Sequence, residues 1–168
     1  MSETALPKLS GSWDLLARAA AHRGDGEERI ELRELLCFEV AGETHALGVE
    51  RVREIVRFRE LTPVPRVPPE ILGVIPLRGE IVEVLDLRRR LGAGPAAPGG
   101  SSRIIVLHGD AGEVTGLLVD AVREVIRVRE EDFGSASGSP KGFVSELCER
   151  DGSFISVLHL ERVLDLGR

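Results

Sequence analysis

One nine-residue stretch occurs twice in this chain. Val52–Glu60 reads VREIVRFRE and Val122–Glu130 reads VREVIRVRE, an offset of 70 residues from 52 to 122. Only apolar positions differ, Ile55/Val125, Val56/Ile126 and Phe58/Val128, and each exchange keeps a residue that favours strands. A second echo follows in the same order. Gly79–Leu87, GEIVEVLDL, runs parallel to Gly152–Leu160, GSFISVLHL, and Leu91 falls at the same spacing as Leu164. A period this long marks a duplicated subdomain and not a solenoid unit.

The repeat alternates apolar and charged residues, which predicts a strand with Val56 and Phe58 inward and Arg57 and Arg59 in water. The first half supplies four further strand-like runs, at 35–40, 45–49, 72–77 and 81–86. Arg78-Gly79-Glu80 joins the last two as a hairpin turn, with Gly79 where a positive φ is expected. The second half repeats the order at 103–108, 114–119, 124–129, 143–149 and 153–159. Short helical turns are expected at 87–91 and 160–166. The four prolines of 61–69 predict a stiff connection without ladder donors, and 133–141 reads as a Ser/Gly loop. GAGPAAPGGSS, residues 92–102, reads as the linker between the halves.

Five short strands most economically remove their edges by closing. The expected fold is therefore mainly β: two five-stranded barrels side by side, about 33–92 and 103–168, forming one domain over 32–168. The surfaces they press together and the groove between them are the expected binding site. Residues 1–31 form a leader. Ser12 caps a short helix over about 12–22 whose apolar face is Trp13, Leu16, Ala17 and Ala20, followed by a charged linker. That helix docks either on its own domain or on a partner.

Composition excludes several functions. Acidic residues outnumber basic ones, 28 to 22, and aromatics are 4% of the chain, so no nucleic-acid partner is expected, on a duplex or on a small oligonucleotide-binding barrel. No apolar run approaches the roughly 20 residues that span a bilayer, and MSETALPKLS lacks a signal-peptide core, so the expectation is a cytoplasmic chain without direct membrane insertion. Cys37 and Cys148 sit in apolar runs as expected buried thiols, with a disulfide as the alternative.

The motifs of hydrolases, phosphate loops and zinc proteases are missing, and His22, His45, His108 and His159 lack metal-ligand spacing. His45 and His108 lie beside turns and are expected at the surface. Asp86 and Asp120 end strands, where their side chains bond nearby backbone. The expectation is no catalysis, no metal and no cofactor. Arg78, beside Gly79 at a hairpin tip, is either a solvated turn charge or a fork for a partner's carboxylate or carbonyls.

GVIPLRGEIVEVLDLRRRL at 73–91, the VREI motif and GLLVDAV at 116–122 resemble the CheW family of chemotaxis coupling proteins, over about Leu35–Leu166. The resemblance implies a non-enzymatic scaffold of two SH3-like β-barrels. It would link methyl-accepting chemoreceptor cytoplasmic tips to the regulatory domain of a CheA-type histidine kinase, in the cytoplasm at receptor arrays. It implies receptor-facing positions at Val52, Glu54, Gly73, Arg78, Ile104, Gly116, Val122 and Val125. Its kinase-facing positions fall around Glu50–Ile55: Glu50, Arg51, Arg53 and Ile55. The chain departs from the family at Pro76, Glu83 and His159 and in its Trp13 leader. Pro76 stands where Asn is usual and is expected to reshape the turn that presents Arg78. A module of a specialised chemosensory pathway, binding receptor or regulator without activating the kinase, is the alternative.

Overall fold

The computed structural model describes residues 29–167. Contacts divide the chain into Met1–Leu32 and Arg33–Arg168, and the second unit builds the two sheets. The expected helix with Trp13 lies outside the described residues.

Two sheets carry the fold. The first half of the chain gives β1 (Leu32–Val40), β2 (Glu43–Gly48), β3 (Val52–Arg57), β4 (Ile71–Leu77), β5 (Glu80–Asp86) and the short helix α1 (Leu87–Arg90). The second gives β6 (Arg103–His108), β7 (Val114–Val119), β8 (Ala121–Arg129), β9 (Phe133–Ser135), β10 (Val144–Arg150), β11 (Ser153–Leu158) and α2 (Leu160–Leu164). One sheet has the order β8-β1-β2-β11-β10-β9 and the other β3-β6-β7-β5-β4. Two side-by-side barrels are therefore present.

Their composition corrects the sequence reading. Residues 33–92 and 103–168 do not each make a barrel. The five-stranded sheet takes its two leading strands, β6 and β7, from the second half and three from the first, while the six-stranded sheet takes β1 and β2 from the first half and four strands from the second, so the halves exchange strands. The reason lies in the corners. Only Asp120 separates β7 from β8, and one residue cannot close a hairpin, which needs at least two. The chain is thrown into the other sheet instead. The equivalent corner, Val49–Arg51, is a single 3-10 turn between β2 and β3. The duplicated VRE motif thus begins where the chain crosses, and each copy becomes an edge strand.

Residues 92–102 are accordingly not a tether between barrels, because β5 and β6 share one sheet. The segment is pinned by Asp86, almost wholly buried, whose Oδ1 accepts from Arg89 N at the start of α1 (3.1 Å) and whose Oδ2 accepts from Ala96 N (2.9 Å). The bonding expected for Asp86 is local; that of Asp120 is not. Its Oδ2 accepts from Ala41 N in the turn after β1 at 2.7 Å and so ties the crossover to the opposite half.

The core has three compartments. Ile75, Val82, Val84, Ile104, Val106 and Leu118 fill one barrel; Leu35, Cys37, Ala46, Ile126, Cys148, Ile155 and Val157 fill the other. The largest cluster, including Leu36, Phe38, Leu47, Leu85, Ile105, Leu107, Leu117 and Leu158, lies between the sheets. Successive residues of β1 and β6 alternate between the inside of a barrel and this middle layer, which explains apolar runs such as RIIVLH in place of strict alternation. The surfaces pressed together are therefore buried apolar core and not an open binding face. Both cysteines are free and buried in one barrel, and burial pushes the Cys37 thiol up to about 11.

Three smaller expectations change. Phe133–Ser135 is a short strand pairing with β10 and not loop. The proline-rich connection does offer ladder groups at Thr62, which exchanges backbone bonds with Val74 (2.9 and 2.8 Å). His45 is buried, not at the surface: its register in β2 turns it toward Phe38, whose ring stacks on it at 6.1 Å, and Nδ1 has no hydrogen-bond partner. Burial lowers the His45 pKa below 6.5, while Glu43 raises it by a lesser amount. The unfolded chain therefore takes up a proton before the folded one. Stability from neutral His45 is intact above pH 6.5 and lost as the pH falls below it. Between roughly pH 6.5 and 5, His45→Phe should lose less melting temperature than wild type. Equal slopes would show that His45 is solvated.

Candidate functional site

Barrel closure creates the site. β3 and β4 are the two edges of the five-stranded sheet, and side chains close the seam between β3 and the β4–β5 hairpin. Arg78 Nε donates to Glu54 Oε2 (3.0 Å) and Nη2 approaches Oε1 (3.4 Å). Arg53 donates to the Glu80 carboxylate from the residue before Glu54. Beyond β3, Arg59 Nη2 donates to Pro76 O (2.7 Å). Three ties thus hold the tip over one strand.

The turn itself is tight. Leu77 pairs with Glu80, leaving Arg78 and Gly79 as the two loop residues, with φ of 51° and 82°. This is the primed geometry that matches strand twist, and the sequence reading anticipated a positive φ at Gly79 but not at Arg78. The hairpins at Ala41-Gly42 and Asp151-Gly152 have the same form, so a residue before Gly was the available signal. Pro76 does not reshape the turn. It stands on an edge strand, where a missing N–H is tolerated, and its carbonyl serves Arg59. The Arg78 side chain is 70% exposed and that of Glu54 20%. The hydrogen bond to Glu54 raises the Arg78 pKa further, so the guanidinium stays charged.

The remaining expected receptor-facing residues scatter. Val52 and Val122, at the starts of the two repeats, are half-buried against the middle core layer, and Val125 is exposed. Ile104, Gly73 and Gly116 are buried, so they present no surface side chain. Ile104 lines a barrel interior, and a Cβ on Gly116 would lie 2.6 Å from Ile104 Cγ2, so both act through packing. Of the expected kinase-facing residues, Glu50 folds over Gly48 and Ile55 is exposed. Arg51 and Arg53 are held internally. Arg51 Nη1 donates to Glu161 Oε1 at 2.8 Å; the Glu161 backbone hydrogen bond first, and this bond after it, hold that carboxyl below its usual range.

Sequence reasoning missed Glu80, Arg59 and the exposure of Ile81 and Phe154, 67% and 68%. The last two occupy the same place in the second echo, one residue after a hairpin turn, and that equivalence was the signal. Depressions also mark the surface of the described residues. A cleft of about 270 Å³ is lined by Arg51, His108, Asp110, Glu113 and Glu161 among others. An open one of about 680 Å³ lies beside Ile81, Glu80, Glu83 and Glu113. Among the described residues no helix is long and apolar enough to cross a membrane.

Comparison with known proteins agrees with this architecture. The model of the CheW-like domain matches residues 34–168. The chemotaxis protein CheW of Rhizobium meliloti is 33% identical over 152 residues, covering 88% of this chain and 94% of that protein. CheW of Bacillus subtilis is 32% identical, covering 78% and 86%. The crystal structure of the scaffolding protein TtCheW from Thermoanaerobacter tengcongensis superposes with a TM-score of 0.76 at 31% identity, over 82% of this chain and 95% of that one.

Proposed function

From the premise that the chain belongs to the CheW-like family of non-enzymatic chemotaxis scaffold proteins, we propose that it couples chemoreceptor cytoplasmic tips to a CheA-type histidine kinase. It acts in the cytoplasm, at receptor arrays. The observation that carries this reading is the Arg78 tip: a charged, largely exposed guanidinium, held beside Glu54 on a turn that closes a barrel. A guanidinium presented this way forks onto a carboxylate or onto backbone carbonyls of a helical hairpin. Exposed Val125 and half-buried Val52 and Val122 add apolar surface to the receptor-facing set, and Gly73, Ile104 and Gly116 support it from within. The kinase's regulatory domain takes the face that includes Glu50, Arg51, Arg53 and Ile55.

The test is binding of the purified chain to a receptor cytoplasmic fragment and to a kinase regulatory domain from the same genome. Binding to neither would end the reading. Arg78→Ala is expected to weaken the receptor complex on the order of tenfold while leaving the melting temperature unchanged. Equal affinity for wild type and variant would remove Arg78 from the interface.

A further inference from the structure

The repeated VRE motif is used differently in the two barrels. In β8, Arg123 pairs with Glu39 of neighbouring β1, and Arg127 lies 3.5 Å from Glu34 of the same strand, so these charges stay within the sheet. In β3, Arg53 and Glu54 instead reach the β4–β5 hairpin. The residues of the β10–β11 hairpin that answer Arg78 and Glu80 are Asp151 and Ser153, and Asp151 lies 3.9 Å from Arg150 of its own hairpin. The Arg and Glu of the motif therefore make a crossed double ion pair with the facing hairpin in one barrel only, among the described residues.

A bulge makes that possible. Consecutive side chains of a regular strand point to opposite faces, yet Arg53 and Glu54 both meet the same turn. The register of β3 on β6 shifts between Val52 and Glu54, and the extra residue at Arg53 re-aims its side chain. The turn forms without such support, since Ala41 and Asp151 hold the same φ of 53° and 52° in hairpins that lack the double pair; what the pair adds at Arg78 is a fixed position of the turn against β3.

We propose that Arg53 and Glu80 are positioning residues for partner recognition: their ion pair pins the Arg78-Gly79 turn over the end of β3, keeping Arg78 presented while its guanidinium moves from Glu54 onto an acidic group of a partner. This rests on the reading that Arg78 faces the receptor. Glu54 alone cannot fill the role, since its bond to Arg78 is the one that a partner carboxylate replaces. Arg53, on the face assigned to the kinase, has no such competitor on the receptor side.

The full-length chain is titrated with a receptor cytoplasmic fragment as wild type, Glu80→Gln, Arg53→Gln, both together, and the swap Arg53→Glu with Glu80→Arg. Each single change is expected to weaken binding about fivefold. The double change should cost no more than either single one, and the swap should return affinity to within roughly twofold of wild type. Melting temperatures should stay together, because exposed pairs add little stability. Independent costs for the two changes, no recovery in the swap, or a melting temperature that falls with affinity would overturn the proposal. Hydrogen exchange at Gly79–Ile81 reads the same pinning without a partner: faster in Glu80→Gln, restored in the swap. Unchanged exchange would also overturn it, whereas failure of the wild type to bind counts only against the coupling function.

Discussion

Replacing Phe38 with alanine is expected to lower stability by about 3–5 kcal/mol and to melt both barrels in one transition. Phe38 is fully buried in the layer between the sheets, where it meets residues contributed by both halves of the chain. Truncation removes apolar area and leaves a cavity in a compartment walled by two sheets, which has little room to collapse. The joint transition follows from the strand exchange. Neither barrel can stay folded alone, because β1 and β2 belong to one sheet while β3, β4 and β5 of the same half belong to the other. Separation of the two halves of the chain would require withdrawing strands from a ladder. Thermal unfolding followed by far-ultraviolet circular dichroism and by calorimetry distinguishes the cases. Two resolved transitions, or a variant as stable as wild type, would mean that the middle layer is a docking surface and not a shared core.

Which parts of this could be read from the sequence depends on how far the cause lies from the residue. Strands announced themselves, since their alternation and their turn residues are local: the Arg78-Gly79 hairpin and the inward Val56 and Phe58 stand where periodicity puts them. Barrel composition was not local. Contiguous halves are the economical assumption, and only the length of a corner, one residue at Asp120, argues against it. His45 shows the same limit. It follows a turn by two residues, but the sheet pairs His45 with Ser156 and covers it from the far end of the chain. In the site, Arg78 and Glu54 were legible as residue types carried by a motif. Their mutual bond was not, nor was that of Arg53 to Glu80, because a bulge aims the side chains and single-sequence periodicity does not register a bulge. Gly73, Ile104 and Gly116, positions implied by the resemblance, are buried, so they bear on a surface only through the core beneath it.

Gly73→Ala should separate these two kinds of constraint. Gly73 has a φ of 148°, and a Cβ there would overlap the Thr62 carbonyl oxygen and lie 2.9 Å from its carbon. The obstacle is backbone, so no side-chain rotation relieves it. Accommodation means moving the 61–69 connection away from β4, which breaks the paired bonds between Thr62 and Val74 and loosens Leu61 from the barrel interior. Strain of about 1–3 kcal/mol, added to two weakened hydrogen bonds of roughly 0.5–1.5 kcal/mol each, gives an expected loss of about 2–4 kcal/mol. A receptor-facing residue that worked through its own surface would behave otherwise, as Arg78→Ala is expected to: binding falls and stability holds. For Gly73→Ala, unfolding in denaturant should show a reduced midpoint with an unchanged slope. Receptor affinity measured where the variant is folded should drop less than for Arg78→Ala. A midpoint equal to that of wild type would mean that the Thr62 bridge yields without cost, and the role of Gly73 would then have to be sought at the surface after all.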